Sequence, residues 1–147
     1  MKGEPVQYKY HTSLEWTSEK KGILHCKDKP DIEVACPPEF GGHAGIWSPE
    51  DLFLASVEVC TLTTFLWFIK KKRISIHAYS SEATGVVELA QGFFQFSSIT
   101  VHVRVRVPSE DDRLSVERIL KKNVEKACLI TNSIHSKVTI QPDVSVE

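Results

Sequence analysis

The chain has 147 residues, the size of one ordinary domain, and its 41% apolar and 25% charged composition suits a folded globule rather than a disordered or fibrous chain. Eighteen Lys and Arg stand against nineteen Asp and Glu, for a net charge of −1, and this excludes the basic excess that nucleic-acid binding requires. The four cysteines, Cys26, Cys36, Cys60 and Cys128, are too few and too far apart for a disulfide-stapled mini-protein.

The first residues, MKGEPVQYKYHTSLEW, hold no apolar stretch and no small-residue cleavage site. The expected compartment is the cytoplasm, where thiols stay reduced unless they do redox work. Loose alternation predicts strands over residues 6–16, 22–26 and 32–34, with a turn at 27–31. Prolines and glycines make 37–45 a loop. Ser48-Pro49-Glu50-Asp51 then opens a helix: Ser48 suits the cap, Pro49 the first helical position, and the two acids the positive end of the dipole. Asp51, three residues after Ser48, completes a near capping box.

Residues 52–69 contain thirteen apolar side chains out of eighteen and end in Lys70-Lys71-Lys72-Arg73. Length and flanking charge also fit a membrane span. Glu58 in mid-run, with Ser56, Thr61, Thr63 and Thr64, favours the buried central helix of a domain, and no membrane partner is expected. Burying such a helix on all sides in so short a chain calls for a second subunit. A hairpin follows over 74–90 and 93–107; from Ile99 to Val107 odd positions are apolar and even ones polar. Pro108 ends it, and Ser109 to Asp112 opens a second helix whose apolar stripe is Val116, Ile119, Leu120, Val124 and Ala127. A last strand spans 137–141, before Pro142. The whole chain, 1–147, reads as one α+β domain.

Cys60 lies in the middle of the apolar helix, on a face with Phe53, Ser56, Val57, Thr63, Thr64 and Trp67. It is either a packing thiol or a reactive one, and reactivity there requires a nearby cation and a route to solvent. Cys128 ends the second helix's stripe and can face the same core. If the two meet, one can attack an oxidant and the other resolve the resulting sulfenic acid. His25, Cys26, Cys36 and His43 are metal-type ligands without metal-site spacing, so neither a metal nor another cofactor is expected. The glycines at 41, 42 and 45 lack the Lys-Ser/Thr of a phosphate loop and serve a turn.

Gly41-Gly42-x-x-Gly45-x-x-Ser48-Pro49-Glu50-Asp51-Leu52-Phe53-x-Ala55, then Cys60, then Ala127-Cys128-x-Ile130-x-Asn132-Ser133 resembles the OsmC/Ohr family of thiol peroxidases over about residues 30–141. The resemblance implies an α+β fold in which strands wrap a long central helix within an intertwined homodimer, with active sites at the subunit interface. It implies reduction of organic hydroperoxides, and in some members of hydrogen peroxide. By motif, Cys60 resembles the peroxidatic cysteine, Cys128 the resolving cysteine and Glu50 the acid that orients an arginine beside the thiolate. Glu50 and Cys60 are ten residues apart, about 15 Å along one helix, so a site containing both draws one from each subunit.

The chain departs from the family in having no arginine before Arg73. Lys27, Lys29, His25 and His43 are the cations available to replace it, although a lysine lacks the planar fork of a guanidinium. The expected activity is therefore a Cys60 peroxidase in oxidative-stress defence. A Cys60–Cys128 disulfide would be restored by an external thiol or dithiol, with Phe53, Ser56, Thr64 and Trp67 as the substrate pocket. The alternative is a weak or inactive relative that binds a small apolar or thiol ligand.

Overall fold

The computed structural model describes residues 3–147 as an α+β fold with one long helix and two three-stranded sheets. The chain forms two compact units, the first ending at Leu52 and the second running from Phe53 to Glu147.

In the first unit β1 (Ser13–Ser18), β2 (Lys21–His25) and β3 (Ile32–Ala35) form an antiparallel sheet in that order. The strand expected over 6–16 pairs only from Ser13, which stands opposite His25. Beyond that point β2 has no more ladder to offer, because the chain turns at Cys26. There the Lys29 N–H donates to the Cys26 carbonyl at 3.1 Å, and Asp28 takes φ 61°. The 37–45 loop contains one short 3-10 turn, Pro38–Phe40. The capping box is present as expected: Asp51 N–H donates to Ser48 Oγ at 3.1 Å, and Ser48 N–H donates back to Asp51 Oδ2 at 2.9 Å.

From that cap α1 (Pro49–Lys72) runs on into the second unit. By length and composition alone it passes as a membrane-crossing helix. Its buried residues are Val57, Thr61, Phe65 and Ile69, a stripe at four-residue spacing that joins the core with the inward side chains of the second sheet. The one polar member of that stripe, Thr61, is satisfied by donating to the Val57 carbonyl at 2.8 Å. On its other sides the helix is open: Val59 is 58% and Trp67 56% exposed.

The second sheet has the order β4 (Ala78–Ala90), β5 (Phe93–Val107), β6 (Lys137–Val146). The alternation over 99–107 is realised, with Ile99, Val101, Val103, Val105 and Val107 buried. Ser97 is skipped by the pairing, since Val86 faces Ser98 and Val87 faces Phe96. This bulge moves the inward phase by one residue and turns Phe96 onto Phe53 of α1, with ring centroids 4.9 Å apart. β6 continues through Pro142 instead of ending before it. It is an edge strand, parallel to β5, so the missing proline N–H is tolerated.

The second helix is not continuous. α2 (Glu110–Arg118) passes into a π segment (Ile119–Val124), a short α3 (Glu125–Ala127) and, after a break at Cys128, α4 (Leu129–Asn132). The stripe also differs from expectation at its end: Val116, Ile119, Leu120 and Val124 are buried, but Ala127 is exposed and Cys128 takes its place at 1% exposure. The π segment is the reason. Its wider i→i+5 turn keeps residues four apart in line, where an α-helix would have drifted back to position 127.

Gly85 faces the crowded junction of α1 and the sheet. A Cβ there would stand 2.6 Å from Phe96 Cε1 and 2.8 Å from Leu54 Cδ2. Gly85→Ala is expected to cost about 1–3 kcal/mol through overpacking. The effect should show as a lower urea midpoint at unchanged slope, and an unchanged midpoint would refute it.

Candidate active site

The second unit brings Cys60 and Cys128, 68 positions apart in sequence, near enough that each thiol shifts the titration of the other. Cys60 flanks the buried stripe of α1 and is partly exposed, whereas Cys128 is buried. Both are free thiols. One turn along α1, Thr64 Oγ1 lies 3.9 Å from Cys60 Sγ.

The backbone supplies the remaining contacts. Cys128 leaves the helical region with ψ 115°, which breaks the ladder between α3 and α4. In an unbroken helix the Leu129 and Ile130 N–H groups would bond to the carbonyls of residues 125 and 126. Here both instead favour the thiolate form of Cys60. The carbonyl of Lys126, left open by the break, is taken by the Asn132 side-chain amide, whose Nδ2 donates to it at 3.0 Å. Ser133 Oγ donates to the Leu129 carbonyl at 2.8 Å and steadies the far side of the turn.

These contacts divide the two thiols. Burial pushes the Cys60 thiol up, but hydrogen bonds from Cys128, Ile130 N–H, Thr64 and Leu129 N–H outweigh it and hold the thiol below its ordinary value. For Cys128 burial comes first and its role as donor to Cys60 second, and both raise it. The arrangement can therefore make one thiolate at Cys60 and keep one thiol at Cys128, the asymmetry that attack and resolution require.

Alongside lies an open groove of about 330 Å³ lined by Thr63, Thr64, Trp67, Phe68 and Ala127. Of the expected substrate pocket, Thr64 and Trp67 line this groove. Phe53 instead packs into the core against Phe96, and the Ser56 hydroxyl is turned back on the Phe53 carbonyl at 2.7 Å. At the groove's rim Lys71 Nζ sits 4.9 Å from the Trp67 ring centroid.

The expected cations belong to the first unit, and three of the four have partners there. His25 bonds Asp31 at 2.7 Å, which lifts its pKa, and His43 lies 3.7 Å from Glu19. Lys29 Nζ donates to Cys26 Sγ at 3.5 Å, and Lys27 is exposed on the turn. In the same unit Glu50 keeps one buried carboxylate oxygen, Oε2, without a hydrogen-bond partner among the described residues. What sequence reasoning missed are the two backbone donors and Asn132. Nothing in residues 125–132 is a proline or glycine, so no side chain signals the break.

Alkylation of the native chain by iodoacetamide at neutral pH should therefore label Cys60 well before Cys128. Cys128→Ala, which removes one donor, should move the pH midpoint of Cys60 labelling upward. Faster labelling of Cys128, read by peptide mass spectrometry, would contradict the asymmetry.

A family model described as OsmC-like protein matches residues 42–143. The uncharacterized protein YmaD of Bacillus subtilis is 22% identical over 117 residues, 78% of this chain and 77% of that one. Among solved structures, an OsmC-like protein of unknown function from Vibrio cholerae superposes with a TM-score of 0.84 at 15% identity, covering 93% of this chain and all of the other. An organic hydroperoxide resistance protein from Legionella pneumophila reaches 0.75 at 20% identity, covering 97% of this chain and all of the other.

Proposed function

The chain belongs to the OsmC-like protein family, and from that premise we propose that it is a thiol peroxidase acting on organic hydroperoxides in oxidative-stress defence. The observation that carries this reading is the neighbouring pair of thiols in which Cys60 is partly exposed and held below its ordinary pKa while Cys128 is buried and raised. The Cys60 thiolate attacks the O–O bond, releases the alcohol after protonation and becomes a sulfenic acid. Cys128 then displaces water from that sulfur and forms the disulfide. An external thiol or dithiol returns both to thiols by exchange. The Legionella protein's name supports the substrate class, and so does the groove with Trp67 and Phe68 on its wall. Neutral hydrogen-bond donors stand in for the cation that the absence of an early arginine removes.

The reading includes a homodimer in the cytoplasm. The uncovered apolar residues of α1, Val59, Leu66 and Trp67, favour a second copy against that helix. The unpartnered Glu50 Oε2 is an acceptor that such a neighbour can satisfy. Sedimentation of the purified chain should give twice the monomer mass, and a monomer at micromolar concentration would remove this part.

A second reading is favoured by one observation, that all five arginines lie at position 73 or later. In it the chain is a catalytically weak relative that binds a small apolar or thiol ligand. Peroxide consumption with a dithiol reductant separates the two. For the peroxidase, Cys60→Ser falls to the uncatalysed background, while Cys128→Ser, mixed with hydroperoxide in the absence of reductant, consumes one equivalent per chain and stops at the sulfenic acid. Turnover that survives Cys60→Ser defeats the peroxidase mechanism.

A further inference from the structure

The donors that act on Cys60 come from a helix that would otherwise have used them itself. An uninterrupted helix from 125 to 132 pairs Ile130 N–H with the Lys126 carbonyl, and that carbonyl is where the competition is decided. In the structure the Asn132 amide occupies it, at 3.0 Å, from a side chain that projects back across the break. Cys128 adopts φ −64°, ψ 115°, and the ladder resumes only with Asn132 N–H donating to the Cys128 carbonyl at 3.0 Å. Asn132 thus holds both ends of the break, its backbone on Cys128 and its side chain on Lys126.

We propose that Asn132 is a positioning residue for the dithiol: by capping the Lys126 carbonyl it keeps the break at Cys128 open and leaves the Leu129 and Ile130 N–H groups unspent by the helix and available to the Cys60 thiolate. Asn132 itself touches neither cysteine side chain through its amide. Its effect reaches Cys60 only through the two backbone donors. The side chain is suited to this, since it is short enough to fold back onto its own helix and carries a donor at every pH. The proposal deepens the peroxidase reading but is tested without peroxide, so the two can fail separately.

The experiment measures the pH dependence of Cys60 alkylation by iodoacetamide in the full chain, with Cys128, the titratable neighbour, followed in parallel. Asn132→Leu keeps the branching at Cγ, removes the donor and adds no charge. The share of Cys60 present as thiolate at neutral pH is expected to fall about three- to tenfold, while Asn132→Gln, which retains the amide, recovers part of the loss. A variant that merely loosened the fold would shift both cysteines and the far-ultraviolet dichroism together, and Gln would not rescue it. Should Asn132→Leu fail to fold, Asn132→Ala reads the same quantity. A folded Leu or Ala variant whose Cys60 profile matches the unsubstituted chain overturns the proposal. So does an unchanged profile in the Cys128→Ala background, where the backbone donors carry more of the effect.

Discussion

At Cys128 the backbone turns from helical to extended, and two N–H groups that an α-helix would have consumed are freed to favour a thiolate on another helix. Each helical bond given up is worth about 0.5–1.5 kcal/mol net, and the freed donors act on the Cys60 thiolate instead. The Lys126 carbonyl is likewise not orphaned. The break thus exchanges helical pairing for an electrostatic effect on one sulfur. Neutral dipoles fixed in a backbone need no counter-charge, and salt does not screen them at contact range as it screens an exposed ion pair.

Such a device works only if the two helices keep their relative placement, and the sheet provides that. β5 offers five consecutive inward side chains, from Ile99 to Val107, against which α1 lays Val57, Phe65 and Ile69, and the second helix lays Val116, Ile119, Leu120 and Val124. Interiors packed in this way transmit displacement rather than absorb it. The bulge at Ser97 extends the same contact toward the start of α1 through Phe96 and Phe53. Cys60, on the border of the buried stripe, inherits the rigidity of the core without being sealed inside it.

Much of this is legible in the amino-acid order. Ser48 and Asp51 announce the start of α1, and the strict alternation after Ile99 marks a half-buried strand. The two cysteines stand out by their contexts, Cys60 within an apolar helix and Cys128 before Leu-Ile-Thr-Asn-Ser. The remainder is hidden for identifiable reasons. Residues 6–12 have strand-like composition, but pairing is decided by where β2 turns away at Cys26. Pro142 looks like a strand end, yet an edge position removes its disadvantage. The break at Cys128 has no glycine or proline to betray it, being set by which acceptors compete for Ile130 N–H. That competition is a property of the tertiary structure and not of any window of sequence.

The π segment at 119–124 adds a consequence for comparing relatives. Its surplus residue sets the count from Val116 to Cys128, so the pairing of the thiols is written partly in a length rather than in identities. A homologue shortened by one residue there and wound as a plain α-helix would carry its second cysteine one position earlier, which is where an α-helix keeps the stripe, so the thiol would stay in line. The spacing between the cysteines can thus differ by one residue between relatives without parting the thiols, provided the helix type changes with it.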